Sequence, residues 1–144
     1  EEFDKALSLS SRRADAYVGR AKARLVLNKE IDLAVRDCCV ALAVSKDEET
    51  RKSALLVRAK SRHALNKPNL MKDVESDLRK ILQMDPDNIE ASSMLKCMAL
   101  EQKKQGNTLF KKKQFVESAE AFRKSLRLDP TLTAARTNLA MTYV

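Results

Sequence analysis

Glycine occurs twice, proline three times and tryptophan not at all in the 144 residues of the chain. Hairpin turns depend on glycine and proline, so this scarcity argues against a sheet-rich fold and for a helical one. Apolar residues make up 44% and charged residues 33%, enough for one domain with a core. No apolar run approaches the roughly 18 residues that cross a bilayer, so no membrane partner is expected. No basic-then-apolar signal segment opens the chain. It begins EEFDKAL, without Met, and ends TYV inside an apolar pattern. The expectation is a fragment of a longer protein.

Residues for chemistry are also scarce. The single histidine, His63, lies on a segment rich in Arg and Lys, without a nucleophile partner. No glycine-rich phosphate loop is present. Cys38, Cys39 and Cys97 are odd in number, two of them adjacent, with no C-x-x-C pair. That spacing suits neither a zinc site nor a disulfide framework, and predicts buried free thiols in a reducing, cytoplasmic compartment. The carboxylates are spread along helix faces near Lys or Arg at i+3 or i+4, as solvated faces are. The expectation is no catalytic, cofactor-binding or metal residues, and no enzyme.

What is present is repetition. The segments ALSLSSRRADAYVGRAKARL (6–25), ALAVSKDEETR (41–51), ILQMDPDNIEA (81–91) and SLRLDPTLTAARTNLAMTYV (125–144) share one pattern. A small or aliphatic residue and Leu are followed by a turn and a new helix. The marks Ala6, Ala41, Ile81 and Ser125 are 35, 40 and 44 residues apart, a repeat near 34 with insertions. Within the units the apolar spacing is helical. Ile31, Ala34, Val35, Cys38, Ala41 and Leu42 are matched by Met71, Val74, Glu75, Leu78, Ile81 and Leu82. Phe115, Ser118, Ala119, Phe122, Ser125 and Leu126 follow the same spacing. Asp85-Pro86 and Asp129-Pro130 end one helix and start the next. Asn28 and Lys67-Pro68-Asn69 break the repeats into halves.

The spacing predicts helices over about 13–27, 30–45, 50–66, 70–84, 115–128 and 131–144, after the end of an earlier helix at 1–9. No glycine or proline interrupts 87–105, which predicts one long helix over about 87–112. It would cover the preceding pair through Ile89, Met94, Leu95 and Met98.

These units resemble the tetratricopeptide repeat (TPR), a helix–turn–helix of about 34 residues. The last unit carries the pattern in Gly106, Phe115, Ser118, Phe122, Ser125 and Pro130. The first carries Tyr17, Ala21, Ile31, Ala34, Cys38 and Ala41, and the second Leu55, Ala59, Met71, Val74, Leu78, Ile81 and Pro86. The resemblance implies an all-α, right-handed α-solenoid. Residues 1–9 would end a truncated repeat. Residues 10–98 would be a block of two repeats and the start of a long capping helix. Residues 99–144 would start a second block, with one full repeat and the first helix of the next.

The positive charge is uneven. Residues 1–102 carry 19 Lys+Arg against 17 Asp+Glu, whereas residues 103–144 carry 9 against 3. Aromatics at 4% leave these cations without stacking platforms, so nucleic acid is not an expected partner. In KKQGNTLFKKKQF (103–115), Lys103 and Asn107 share one helix face, and Gly106 permits close packing of a neighbouring helix. Asn138 falls on the next repeat's first helix. Lys111, Lys112 and Lys113 read as a solvated helix end.

Lys103, Gly106, Asn107 and Asn138 resemble the first part of the carboxylate clamp of TPR co-chaperones. The resemblance implies a scaffold that binds the acidic C-terminal tails of the seventy- and ninety-kilodalton heat-shock chaperones (Hsp70/Hsp90-type). Phe110 matches a groove-lining aromatic. The remaining Lys and Arg of such a clamp would lie beyond Val144. The first block departs from the pattern, with Gly19 in place of Asn, and Ser53 and Val57 at clamp positions. Lys22 and Lys60 are candidates for a basic inner wall. Two alternatives stay open: a TPR scaffold for a folded partner or internal peptide, and a structural fragment that self-associates through exposed repeat ends.

Overall fold

A computed structural model describes the backbone over residues 2–143 and the side chains from residue 9 onward, Ser11 excepted. The described residues form seven α-helices, one short 3-10 turn at Pro68–Leu70 and no strand. The helices are α1 (Glu2–Leu27), α2 (Ile31–Val44), α3 (Glu48–Leu65), α4 (Met71–Met84), α5 (Ile89–Lys111), α6 (Phe115–Leu128) and α7 (Thr133–Thr142). None is long and apolar enough to cross a membrane. The chain divides into two compact units, Glu1–Ala91 and Ser92–Val144.

The all-α expectation holds, with one difference at the start. The predicted break after residue 9 is absent, and α1 runs unbroken to Leu27. Ser8, Ser10 and Ser11 favour caps and turns only weakly. Without glycine or proline beside them they do not stop a helix. The mark Ala6 lies outside the residues whose side chains are described.

The real stops have identifiable causes. Asn28 and Asn66 adopt the left-handed conformation, at φ 53° and 51°, which Asn tolerates better than most residues. The Asp47 carboxylate accepts the Thr50 N–H at 3.1 Å and caps α3. Pro86 and Pro130 lie in the turns rather than in the next helix. Asn88 Oδ1 then accepts the Ala91 N–H at 2.9 Å and starts α5.

In the first unit α1 packs on α2, α2 on α3, α3 on α4, and α1 also touches α3. Its core joins Ala14, Val18, Ala21, Ala34, Cys38, Ala41, Ala54 and Val57, with Tyr17, Leu25 and Leu42 against it. Five of the eight are alanines, so helix backbones approach closely here. The phased positions Ala34, Val74 and Ser118 are all fully buried, as are Ala41, Ile81 and Ser125. Val57 is part of this core. Of the residues predicted to cover the preceding pair, Leu95 and Met98 are buried, Met94 is half-buried and Ile89 is exposed.

In the second unit α6 packs on α7, and two buried serines tie α6 to α5. Ser118 Oγ donates to the Gly106 carbonyl at 2.7 Å, and Ser125 Oγ to the Ala99 carbonyl at 2.6 Å. Each of these serine hydroxyls is satisfied by a helix carbonyl.

Candidate functional site

The second unit brings together two of the singled-out polar residues. Asn138 Nδ2 on α7 donates to Asn107 Oδ1 on α5 at 2.9 Å. Lys103 lies one helical turn before Asn107, half-buried, with no partner among the described residues. Gly106 is buried between them and lets the Phe122 ring of α6 press against α5. The pair uses one amide N–H of Asn138. Both hydrogens of the Asn107 amide and one of Asn138 remain as donors, beside the Lys103 ammonium. Such a face suits an anionic acceptor.

Phe110 is half-buried and meets Phe115 edge to face, with ring centroids 5.3 Å apart. The lysines after it separate by role. Lys111 ends α5, and Lys113 holds a left-handed turn at φ 62°. The Lys113 N–H bonds the Phe110 carbonyl at 3.0 Å and the Gln114 N–H bonds that of Leu109 at 2.9 Å, which closes the helix end. All three side chains are exposed.

In the first unit Lys22 is exposed, and Lys60 pairs with Glu90 at 2.9 Å. The carboxylates were expected on solvated faces, and two are not. Asp37 and Asp77 are only 4% and 1% exposed. Arg20 donates to Asp37 through Nε (2.9 Å) and Nη2 (2.6 Å), and Arg24 through Nη1 (2.7 Å). Arg58 and Arg62 hold Asp77 in the same way, at 2.9, 2.6 and 2.9 Å. Burial is the largest single influence on the Arg58 pKa and lowers it, but the hydrogen bonds and charges of Asp77 and Cys39 together outweigh it, and the net shift is upward. The signal was in the sequence: R-x-x-x-R at 20/24 and 58/62, each answered by one Asp inside an apolar helix face.

The thiols also differ from expectation. Cys38 is buried, but Cys39 and Cys97 are exposed, and all three are free. Burial pushes the Cys38 thiol up to about 12, whereas Cys39 and Cys97 fall on outward helix positions. Among the described residues no group of His, Cys, Asp and Glu is placed to hold a metal ion. No family model and no curated protein matches the chain.

Proposed function

We propose that the chain is a non-enzymatic protein–protein interaction module, built of TPR units in a right-handed solenoid. Its second unit docks acidic C-terminal peptide tails of the heat-shock chaperone type. Lys103, Asn107 and Asn138 take the terminal carboxylate in this reading, Phe110 lines the groove, and the module works as a cytoplasmic co-chaperone or assembly scaffold.

One observation carries the reading. The Asn138–Asn107 bond at 2.9 Å aligns two amides from different helices beside an unpaired Lys103. Paired amide donors and one ammonium complement a carboxylate, and the charge assistance strengthens each bond. A basic excess of 9 cations over 3 anions in residues 103–144 attracts an acidic tail.

The test is titration of a peptide ending Met-Glu-Glu-Val-Asp, as free acid and as C-terminal amide. It is run on the whole chain. The free acid should bind more tightly, Lys103→Ala should weaken it, and salt should weaken it further. Equal binding of acid and amide removes the clamp reading.

A further inference from the structure

A second cationic feature lies in the first unit. A cleft of about 420 Å³ opens between α2, α3 and α4. Arg51 and Arg58 of α3 and Lys80 of α4 line it, over a floor of Leu42, Leu55 and Met84. The positions 51, 55 and 58 fall on one face of α3, and 80 and 84 on one face of α4. No carboxylate lines the cleft. The larger groove of the same unit, about 810 Å³, differs because Glu30 and Asp32 offset Arg36, Arg62 and Lys67 there.

The cations of the cleft keep unused capacity. Arg51 Nη1 donates to the carbonyls of Leu42 (2.6 Å) and Ser45 (3.0 Å), which fixes the guanidinium without neutralising it. Its other N–H groups have no partner among the described residues. Arg58 gives Nε and Nη2 to Asp77, and its Nη1 meets only Cys39 Sγ at 3.5 Å, a weak acceptor. Asp77 is shared with Arg62, so that trio keeps one net positive charge. Lys80 is exposed and has no partner among the described residues.

We propose that this cleft binds a phosphate monoester. The remaining N–H groups of two guanidiniums and an ammonium offer more positive charge than one carboxylate uses, and match a group carrying about −1.5 to −2. The volume exceeds that of a phosphate, and the apolar floor accommodates the carbon chain that carries it. The ester is a phosphoserine or phosphothreonine of a peptide, or a small soluble phosphate ester.

Calorimetry on the whole chain at low salt tests the site with a phosphoserine peptide, its unphosphorylated form, O-phosphoserine and inorganic phosphate. The phosphorylated probes should bind saturably and the unphosphorylated peptide should not. Lys80→Glu should weaken binding about tenfold by losing one charge-assisted contact and adding a repulsive one. Lys80→Ala should weaken it less, and serves if the reversal disturbs folding. Lys124→Glu makes the same charge change in the second unit and should leave affinity unchanged. Much tighter binding of the peptide than of O-phosphoserine identifies a peptide ligand, and equal binding a small ester. Absence of saturable binding overturns the proposal, as does equal weakening by Lys80→Glu and Lys124→Glu. Loss on Lys103→Ala with none on Lys80→Glu also overturns it, because the anion then sits in the second unit.

Discussion

A Cβ on Gly106 would lie 2.6 Å from Cε1 of Phe122, and 2.8 and 2.9 Å from its neighbouring ring carbons. Phe122 is 1% exposed, so the ring has no open space into which to swing. Helix backbone and aromatic ring touch directly here. That contact places α6 against α5 beside the Asn107 face.

Gly106→Ala is therefore expected to destabilise despite the better helix propensity of alanine. The propensity gain is about 1 kcal/mol. Overpacking a closed core costs about 1–3 kcal/mol, so the net loss is up to about 2 kcal/mol. Urea unfolding followed by circular dichroism measures it. In a Phe122→Leu background the same change should be close to neutral. An equal loss in both backgrounds would assign the effect to something other than the ring.

Ser125 and Ser61 form a matched contrast. Both are fully buried, but Ser125 donates to the Ala99 carbonyl at 2.6 Å and Ser61 Oγ has no hydrogen-bond partner. Ser125→Ala should cost about 0.5–1 kcal/mol for the lost bond. Ser61→Ala should be neutral or stabilising by up to about 1 kcal/mol, because an unpaired buried hydroxyl is removed. Thermal melts of the two variants side by side decide it. Equal losses would mean that the hydroxyl partners do not matter.

Much of the fold was legible because helical packing leaves a periodic trace. The small residues Ala34, Val74 and Ser118, and Gly106 opposite Phe122, sit at helix–helix contacts that the 3.6-residue period marks. The continuity of α1 was not legible, since serines read as turn residues unless their surroundings are known. The buried Asp37 and Asp77 were hidden for another reason. Their arginines lie 13 to 19 residues away on a different helix. Local i,i+4 reasoning therefore sees only an Asp that breaks an apolar face. For the candidate site, repeat register and the resemblance to a carboxylate clamp named Asn107 and Asn138. The bond between them depends on how α7 returns past α5, which no local pattern encodes.

Those two aspartates predict an order of effects. The arginines around Asp77 are mostly covered, at 13% and 18% side-chain exposure, whereas Arg20 beside Asp37 is 55% exposed. Removing Asp77 strands two cations away from water, and Asp77→Ala should cost roughly 3 kcal/mol. Asp37→Ala should cost less, because water reaches Arg20. Replacing the whole trio with Arg58→Met, Arg62→Leu and Asp77→Leu should recover most of the Asp77→Ala loss. Chemical unfolding of the three variants tests the order, and a larger loss for Asp37→Ala would contradict it.

Cys38 predicts a pH dependence whose sign follows from its burial. The thiol is raised from 9.0 to about 12, chiefly by desolvation, with the Arg58 charge pulling the other way. Between those values the unfolded chain releases the proton while the folded chain holds it. The stabilising contribution is therefore whole below pH 9 and is lost as pH rises toward 12. The slope is about 1.4 kcal/mol per pH unit. Cys38→Ala removes the group, so the stability difference between the protein and this variant should shrink at that slope above pH 9. A difference that stays constant across this range would show that Cys38 ionises in the folded state. Alkylation gives an independent reading: Cys39 and Cys97 are exposed and should label quickly at mildly alkaline pH. Cys38 should label only as fast as the first unit opens.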